Sequence, residues 1–498
     1  MKVGFPSSTH WPKSTKKVKE MKKAELVFVT MPAIGHLVSC VELTKLLIEC
    51  DERLSITVLI MKLPFDPKVS SYTNSLVETP NLHIRYLELM KEEPSSQLSS
   101  FLSILFRFID NHKSCVREVL AEISNSVSSH LGGIVIDMFC TSLIDVANEF
   151  GVPSYIFCPG GAALLGLLFQ LQSLRDDLNE DVSHYENLDD ELALPTYINP
   201  VPAKLLSPAF FDKDGGGDML LDQVRRFKET KGIIVNTFLE LESHAIQALS
   251  NDKTIPPVYA VGPVLNLKGS NSQNQETEMI MKWLDLQPEC SVVFLCFGSG
   301  GSFDGDQVKE IAYALERSGY RFLWSLRRPS PKENFEFPSE YENLDEVLPE
   351  GFLQRTAAVG KVIGWAPQAA VLSHPAVGGF VSHCGWNSIL ESVWCGVPVA
   401  TWPLYAEQQQ NAFLMVKDLA MAVEIKIDFK RDFVLGVSSE ILSADVIERG
   451  IKHLMDPEKE IKEKVKEMKE KSRLAPNEGG SSYASLKCFL EDVIDSIP

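Results

Sequence analysis

The stretch 378–388, which reads GGFVSHCGWNS, decides the fold. Its apolar first half predicts a buried strand that ends at Ser382, and the residues after His383 predict a helix that starts near Trp386. A strand end that feeds a helix N-terminus is a ready-made anion site, because free backbone N–H groups and the helix dipole both point at the ligand. The stretch therefore predicts an α/β domain with a phosphate site at this turn.

Polar and aromatic side chains surround the turn at short sequence distances. His383 can donate to a phosphate oxygen, and Asn387 and Ser388 add side-chain donors in the first helical turn. A carboxylate accepts hydrogen bonds well from a ribose diol, which suits Glu391, and Trp365 offers a flat face on which a base can stack. This array is more typical of a nucleotide site than of a structural loop in which a Trp and a His only pack.

The rest of the chain alternates short apolar runs with longer helical patterns. Most runs are continuous rather than alternating, which favours parallel strands buried on both faces of a sheet. Strand–helix alternation over this length indicates doubly wound α/β architecture, in which ligands gather at the carboxyl ends of strands. The predicted strands are 25–30, 54–61, 82–86, 133–137, 232–236, 291–297, 321–326, 361–363, 378–382 and 398–401.

The polar segment 266–278, NLKGSNSQNQETE, breaks this pattern and predicts an interdomain linker. It divides the chain into two α/β domains, residues 21–265 and 279–475, that face each other across a cleft. We expect residues 1–20 to be a disordered extension. We expect residues 476–498 to form a C-terminal helix that docks back on the N-terminal domain.

Composition and charge exclude several classes of protein. The net charge of −19 argues against nucleic acid and anionic membranes as partners, although local dipoles can still hold a phosphate ligand. No apolar run reaches the roughly 20 residues that span a bilayer, and the longest, 155–169, is interrupted by Pro159. Residues 1–22 lack the apolar core of a secretory signal. The ten cysteines show no paired spacing and predict buried free thiols, so we expect a cytoplasmic protein.

Two Asp-x-Asp triplets raise the question of a metal site. Residues 212–214 lie in a polar, glycine-rich loop rather than at the end of an apolar strand. Residues 304–306 precede a helical pattern, where acidic residues commonly cap the first turn. We therefore expect no metal.

A second constellation lies in the N-terminal half. His36 lies between the strand 25–30 and the helix that follows it, and Asp137 is the last residue of the strand 133–137. The two are either unrelated polar residues or partners across neighbouring strands. As partners, the carboxylate would fix the tautomer of the imidazole and stabilise the imidazolium that forms. The positive end of the helix would help to keep the ring a neutral base.

The 44 residues 365–408 resemble the signature of the plant secondary-product glycosyltransferases, from Trp365 to the closing Gln408. The motif is highly specific. The similarity extends over nearly the whole chain from about Met21, and it includes 235–243 (VNTFLELES) and 297–299 (FGS). The resemblance implies a GT-B fold, in which two facing Rossmann-like domains with mostly parallel sheets bind a UDP-sugar mainly on the C-terminal side.

The resemblance also implies roles for individual residues. His36 would be the general base and Asp137 its partner, while Met138 and Phe139, with His36, would contact the acceptor. We expect the stretch 202–217, with its glycine run, to help line the acceptor pocket. The implied donor contacts are Trp365 on uracil, Ala366 and Gln368 on base and ribose, Glu391 on the ribose hydroxyls, Ser299, His383, Asn387 and Ser388 on the pyrophosphate, and Trp386, Glu407 and Gln408 on the sugar.

The implied reaction is an inverting, metal-independent transfer of glucose from UDP-glucose to a hydroxyl of a small hydrophobic acceptor, giving a β-glucoside. In this family, a closing glutamine such as Gln408 goes more often with glucose than with galactose. UDP-glucose is then a co-substrate, and no cofactor is expected. Flavonoids and other phenolics rank first as acceptors, with terpenoids and hormones next. We expect the protein to act as a monomer.

The segment 157–161, FCPGG, departs from the family pattern. Relatives tend to carry Thr or Ser where this chain has Pro159, so a hydroxyl that lies near the donor sugar is missing here. Gly300 also replaces a larger residue that is often found there. A weakly active enzyme, or a non-catalytic member of the family that binds a ligand, is therefore the alternative.

A nicotinamide-dependent oxidoreductase is the other class considered. The strand 291–297 is followed by GSGGSF, which begins like a dinucleotide-binding fingerprint. Phe303 takes the position of the third glycine, so the match is partial and weak.

Overall fold

The structure, a computed structural model, describes residues 24–63, 67–78, 81–89, 101–126, 130–187, 190–212, 214–267, 275–330, 338–431, 438 and 440–497. The extension predicted for residues 1–20 lies outside these residues, and so does most of the linker predicted for 266–278. The last part of that linker prediction overlaps a helix that begins at Gln275.

An N-terminal lobe, defined here as residues 24–267, is built from alternating strands and helices. In chain order its elements are β1 (Ala24–Thr30), α1 (Ile34–Cys50), β2 (Leu54–Ile60), α2 (Pro67–Glu78), β3 (Ile84–Glu88), α3 (Phe101–Asn111), α4 (Lys113–Ser124), β4 (His130–Asp137), α5 (Ile144–Glu149), β5 (Ser154–Cys158), α6 (Ala162–Asp176), β6 (Glu191–Leu192), β7 (Val201–Pro202), α7 (Gly216–Phe227), β8 (Gly232–Val235), α8 (Ser243–Asn251) and β9 (Val258–Ala260).

A C-terminal lobe, defined here as residues 275–474, follows the same plan, and one further helix follows it. Its elements, with that helix last, are α9 (Gln275–Asp285), β10 (Val292–Cys296), α10 (Gly305–Ser318), β11 (Arg321–Ser325), α11 (Phe352–Thr356), β12 (Gly360–Ile363), α12 (Gln368–Leu372), β13 (Val377–Ser382), α13 (Trp386–Cys395), β14 (Val399–Thr401), α14 (Gln408–Phe413), β15 (Ala422–Glu424), α15 (Ala444–Met455), α16 (Lys459–Leu474) and α17 (Ser481–Asp495).

Each lobe contains one large parallel sheet. The N-terminal sheet runs in the order β3-β2-β1-β4-β5-β8-β9, and the C-terminal sheet in the order β12-β11-β10-β13-β14-β15. All neighbouring strands in both are parallel. Central strands such as β5 and β10 are buried along their whole length because helices cover both faces. This topology confirms the predicted doubly wound α/β architecture.

Several short strands escape the sequence pattern. The strands β5, β9 and β15 were not predicted, and β3 lies two residues later than expected. The apolar run 155–169 covers most of β5 and the first half of the buried helix α6, separated by Pro159–Gly161. Continuous apolar residues do not reveal where one element ends. Among the described residues, no helix has the length and apolarity that a membrane crossing requires.

The ten cysteines are all free, as expected, but not all of them are buried. Cys290 and Cys488 are exposed and Cys50 and Cys115 are only partly buried, which corrects the prediction of buried thiols for these four positions. Cys290 lies in the turn before β10. Cys488 lies on the exposed face of α17. The buried side chains of this helix, among them Phe489, form its opposite face.

The helix α17 packs on the N-terminal sheet, although it follows the C-terminal lobe in sequence. The ring of Phe489 lies 5.0 Å from that of Tyr155 and 5.6 Å from that of Tyr259, centroid to centroid. The Nζ of Lys487 donates to the backbone oxygen of Cys50 at 2.7 Å. The end of the chain thereby ties the two lobes together.

Candidate active site

A cleft of about 3310 Å³ runs between the two lobes. His36 and Met138 line it from the carboxyl ends of β1 and β4, and Ser299 and His383 line it from the ends of β10 and β13. Every predicted site residue except Asp137 contributes to its lining. Residues that are up to 372 positions apart in the sequence therefore share one cavity.

His36 is the third residue of α1, and its ring is held by Asp137 at the end of β4. The two strands are adjacent in the sheet, and the Nδ1 of His36 lies 2.7 Å from the Oδ2 of Asp137. The other carboxylate oxygen accepts the backbone N–H of Phe139 at 3.1 Å. The Asp137 side chain is only 1% exposed, whereas that of His36 is 22% exposed. The pair is thus a buried carboxylate that orients an accessible imidazole through Nδ1, with Nε2 on the far side of the ring.

The electrostatics of His36 differ from what the sequence suggests. Burial lowers the pKa of the ring, but the charge and the hydrogen bond of Asp137, together with the charge of Glu407, outweigh burial and raise the pKa above its ordinary value. The expectation that the helix end keeps the ring neutral is therefore corrected. The carboxylates dominate because one is in direct contact and the other approaches from the opposite lobe.

Beside His36 the N-terminal lobe presents an apolar wall. The ring of Phe139 lies 5.6 Å from the imidazole and 6.4 Å from the ring of Phe106. The apolar residues that line this part of the cleft are Leu102, Met138, Phe139, Leu164, Leu168, Phe210 and Leu220. A small hydrophobic molecule could bury its surface here with a polar group beside the imidazole.

The stretch 202–217 contributes only its middle part to the cleft. Ser207, Pro208, Ala209 and Phe210 line it, and so do two aspartates of the same loop. The glycine run is not part of the lining. Its first residue, Gly215, has a φ of +90° and precedes α7, so this glycine serves the turn into the helix.

The turn between β13 and α13 has the geometry that the sequence predicts. Cys384 adopts a φ of +63°, and Gly385 is the residue before the helix. A left-handed conformation at a cysteine stores backbone strain, which structures tolerate chiefly at functional sites. Hydrogen bonds from Cys384 N–H to Ser382 Oγ at 3.1 Å and from Asn411 Nδ2 to the Cys384 carbonyl at 3.0 Å hold the turn.

His383 is enclosed by glycines. A Cβ added at Gly298, which has a φ of +73°, would lie 2.5 Å from the Nε2 of His383, and one at Gly385 would lie 2.6 Å from it. The pKa of His383 is lowered to about 4. Burial of the ring lowers it, and this effect outweighs the hydrogen bond with the Cys296 backbone, which raises it. The ring is therefore neutral near pH 7, and it can offer an N–H to an anion but no positive charge.

A polar network connects α12 to α13. The Nε2 of Gln368 donates to Ser388 Oγ at 2.8 Å and to Glu391 Oε2 at 2.9 Å. Burial raises the pKa of Glu391 to about 7, although the hydrogen bond from Gln368 opposes it. Glu391 is thus a carboxyl group whose charge depends on what binds to it.

Trp365 is 46% exposed and has two cations near its ring. The Nζ of Lys68, on α2, lies 4.8 Å from the indole centroid, and the Cζ of Arg327 lies 5.4 Å from it. Lys68 also donates to the carbonyl of Ser299 at 2.8 Å, so the N-terminal lobe reaches the predicted donor site.

The first turn of α13 also binds the N-terminal lobe. The indole N–H of Trp386 donates to the carbonyl of Asn236 at 2.7 Å. The Nδ2 of Asn387 donates to the carbonyl of Gly35 at 3.3 Å, and the hydroxyl of Ser39 donates to Asn387 Oδ1 at 3.2 Å. Gly35 and Ser39 both belong to the start of α1, so α13 and α1 are bonded to each other across the cleft.

The end of the signature lies at the start of α14. The Oε1 of Gln408 accepts the N–H groups of Leu404 at 2.9 Å and Tyr405 at 3.1 Å, which fixes the orientation of its amide. Burial raises the pKa of the neighbouring Glu407. Ala406, with a φ of +58°, produces the sharp turn that brings both side chains to the cleft.

Glu242 is a buried residue that the sequence analysis did not single out. Its carboxylate accepts the N–H groups of Ala162 at 2.8 Å and Ala163 at 2.9 Å, at the N-terminus of α6. A Cβ on Gly161 would lie 2.8 Å from the Trp386 ring and 2.9 Å from this carboxylate. The unusual glycine of the 157–161 segment therefore permits a close approach between the lobes. The only signal in the sequence was that Glu242 lies in the segment 235–243 that resembles the family.

Neither Asp-x-Asp triplet forms a metal site among the residues that the structure describes. Asp304 precedes α10 and its side chain accepts the N–H of Gln307 at 3.2 Å, as expected for a capping residue. No group of three or more potential ligands is present in the described ranges.

Comparisons with known proteins agree with the geometry of this site. The family model described as "UDP-glucoronosyl and UDP-glucosyl transferase" matches residues 254–443. UDP-glycosyltransferase 71E1 of Stevia rebaudiana is 54% identical over 475 residues, which cover 95% of this chain and 99% of the relative. UDP-glucose flavonoid 3-O-glucosyltransferase 6 of Fragaria ananassa is 53% identical over 486 residues, with coverage of 95% and 99%.

Solved structures resemble the whole molecule. A UGT transferase from Siraitia grosvenorii in complex with UDP superposes with a TM-score of 0.85 at 47% identity, covering 95% of this chain and 100% of that one. UGT71G1 of Medicago truncatula, complexed with UDP-glucose, gives a TM-score of 0.84 at 43% identity, covering 95% and 98%. These likenesses and the two parallel sheets confirm the predicted GT-B fold.

Proposed function

Because this chain belongs to the plant UDP-glycosyltransferase family and is a glycosyltransferase, we propose that it transfers glucose from UDP-glucose to a hydroxyl of a small hydrophobic acceptor. We propose that the product is a β-glucoside and that flavonoids and other phenolics are the first acceptors to examine. The relative from Fragaria ananassa is named as a flavonoid 3-O-glucosyltransferase, which supports this ranking.

One observation carries the proposal. The imidazole of His36, with its carboxylate partner, and the strand–helix turn at His383 line the same cleft from opposite lobes. A base on one side and an anion site on the other are what a displacement at a sugar phosphate requires, because the acceptor and the leaving group must approach from opposite directions.

His36 is the proposed general base. In the tautomer that donates from Nδ1 to Asp137, the Nε2 atom carries the lone pair and can take the proton of an acceptor hydroxyl. As the acceptor oxygen attacks the anomeric carbon, Asp137 stabilises the imidazolium that forms. The raised pKa of His36 strengthens it as a base. The pKa shift and the geometry therefore support the same role.

The apolar wall supports a hydrophobic acceptor. The rings and aliphatic side chains around Phe139 offer surface for an aromatic or terpenoid skeleton, and the only polar requirement is a hydroxyl placed beside His36. Met138 and Phe139 would then be acceptor contacts. A terpenoid or hormone would use the same wall, and it is the second acceptor class that we propose.

The donor would occupy the C-terminal side of the cleft. Trp365 would stack on uracil, with Ala366 and Gln368 beside the base and ribose and Glu391 binding the ribose hydroxyls. The sugar would lie against Glu407 and the fixed amide of Gln408, which we take as the basis for glucose as the donor sugar. The N-terminus of α13 would stabilise the charge that grows on the departing pyrophosphate. The proposed pyrophosphate contacts are Ser299, His383, Asn387 and Ser388, and Trp386 is the further proposed contact to the sugar.

Attack from the acceptor side with departure from the opposite side gives inversion. An α-linked glucose of UDP-glucose would thus become a β-glucoside in one displacement. No step in this scheme requires a metal, since fixed dipoles and neutral donors at the turn take over the stabilisation of charge. We therefore propose a metal-independent reaction without a further cofactor.

The experiment that tests the proposal is direct. Purified protein would be incubated with UDP-glucose and a mixed panel of phenolic and terpenoid aglycones, and products would be identified by mass and by cleavage with a β-specific glucosidase. We expect hexose adducts of one or more aglycones that the β-specific enzyme removes. Products that resist it would refute inversion, and UDP binding without any product would favour the non-catalytic alternative. Stabilisation by NAD(P) but not by UDP in a thermal-shift assay would point to an oxidoreductase.

A further inference from the structure

Two side chains of the C-terminal lobe hold a loop of the N-terminal lobe. The Nε2 of Gln410, on α14, donates to the carbonyl of Leu205 at 2.5 Å. The Nζ of Lys430 donates to the carbonyl of the next residue, Leu206, at 3.2 Å. Both bonds join the two lobes, and they hold consecutive peptide units of one loop.

The bonded peptides lie directly before the part of the loop that lines the cleft. Ser207, Pro208, Ala209 and Phe210 follow Leu206 and all face the cavity. The hydroxyl of Ser207 accepts the N–H of Ala209 at 3.3 Å and so begins the short helical turn that presents Phe210. A shift of the two anchored peptides would therefore move this wall of the acceptor pocket.

The two anchoring side chains differ in burial, since Lys430 is only partly buried. Gln410 is fully buried, so its hydrogen bond to Leu205 has no competition from water. Lys204, one residue earlier, forms an ion pair with Asp428 at 2.9 Å, but both groups are partly exposed and contribute little. Gln410 and Lys430 thus bond the two peptide units directly before the wall from the opposite lobe.

The helix α14 also carries Gln408, two residues before Gln410. Both side chains line the cleft, and Gln410 also bonds the acceptor loop. One short helix of the donor lobe is therefore in contact with the surroundings of both substrates.

We propose that Gln410 and Lys430 are specificity-determining positioning residues, which set the acceptor wall 207–210 from the donor lobe. The inference rests on the proposed function, since it concerns the acceptor of that same reaction. It follows that acceptor selectivity is determined in part by residues outside the N-terminal lobe. Misplacement of a substrate by as little as 1 Å is enough to change rates strongly.

The test compares Gln410→Leu and Lys430→Met with a matched control, Gln409→Leu. Gln409 is also fully buried on α14, but its Nε2 donates at 2.7 Å to the carbonyl of Phe429, within its own lobe. The measurements are KM and kcat for quercetin, the ratio of its glucoside regioisomers, and the Kd for UDP by calorimetry. Quercetin is suitable because its several hydroxyls report how the acceptor is oriented.

We expect KM for quercetin to rise roughly 5- to 10-fold in Gln410→Leu and Lys430→Met, as for the loss of one or two hydrogen bonds. The regioisomer ratio should change in both variants, while the Kd for UDP stays within about twofold of wild type. Gln409→Leu should change KM and the ratio less than either test variant, because it keeps both side chains that bond the N-terminal lobe. If Gln410→Leu does not fold, Lys430→Met decides the outcome with the same readouts.

The inference is overturned if both variants match Gln409→Leu in KM and in regioisomer ratio while wild type is active. The proposed function fails separately, if wild-type protein binds UDP and transfers glucose to no acceptor of the panel. The two failures are distinguishable because the first requires a working enzyme.

Discussion

The proton affinity of the His36 ring depends on two carboxylates that approach it from different lobes. Asp137 contacts it directly, and Glu407 adds a longer-range effect. A general base works only when it is neutral, so activity should be lost as pH falls through a pKa that lies above the ordinary value of 6.5. The acidic limb of the rate profile therefore reports the His36–Asp137 contact.

Asp137→Asn should reduce kcat by about 10³-fold, because the ring loses the group that fixes its tautomer and stabilises its cation. Without that carboxylate, burial would lower the pKa of His36, so the acidic limb of kcat/KM should move to lower pH. The profile would be measured from pH 5 to 9 with one acceptor. An unchanged limb in the variant would show that another group controls the titration.

Glu391 gives a second pH-dependent expectation. Its pKa of about 7 means that near neutral pH the carboxyl is only partly ionised in the free protein. Ribose hydroxyls donate to the ionised form, so binding of UDP should lower this pKa and release protons. Affinity should be greatest above pH 7 and should weaken as pH falls below it. Calorimetry in buffers of different ionisation enthalpy would measure the proton release, and Glu391→Gln should abolish it.

At this scale the sequence predicted which residues meet but not how they titrate. The His36–Asp137 pair could be expected because one residue follows a strand and the other ends a strand of one sheet, where carboxyl ends converge. The contribution of Glu407 to the His36 pKa could not, since Glu407 is 371 positions away and belongs to the other lobe. Lys68 and Gln410 were missed for the same reason.

Among the elements, the turn into α13 depends on the loop after β10. Gly298 has a φ of +73° and its missing side chain leaves room for His383. Gly298→Ala should weaken UDP binding about tenfold or more, since a Cβ would force the ring or the loop to move. Gly319→Ala is the matched control, because Gly319 has a φ of +75° with nothing within 4 Å of an added Cβ. Equal UDP affinities of the two variants would contradict the proposed packing role of Gly298.

The helix α17 should contribute strongly to the stability of the N-terminal lobe. Phe489→Ala removes a fully buried ring that packs on Tyr155 and Tyr259, and it should lower the free energy of unfolding by about 3–5 kcal/mol. Cys488→Ala, on the exposed face of the same helix, should have little effect. Urea denaturation measures both. If the two variants prove equally stable, α17 is not integral to the lobe.

The central strands and the α13 turn were predictable because apolar periodicity and turn residues are local signals. The strands β5, β9 and β15 were not, since they are short and their neighbours are equally apolar. The domain boundaries proposed from the sequence stay a prediction, and the segment 266–278 lies largely outside the described residues.

On the scale of the whole molecule, direct contacts hold the two lobes in register around the cleft. The first turn of α13 binds Asn236 and Gly35, α2 reaches Ser299 through Lys68, and α17 returns to the N-terminal sheet. Sequence reasoning predicted a cleft between two domains, but these long-range contacts have no local signature. They bring the proposed base and the proposed anion site into one cavity.

The most direct test of this arrangement is to measure turnover and UDP affinity together in His36→Ala. We expect kcat to fall by about 10³-fold or more, because the proposed base is gone. The Kd for UDP should stay near the wild-type value, because the donor site lies on the other lobe. Near-normal turnover of His36→Ala on several acceptors would contradict the assignment of His36 as the base that faces the bound UDP-sugar.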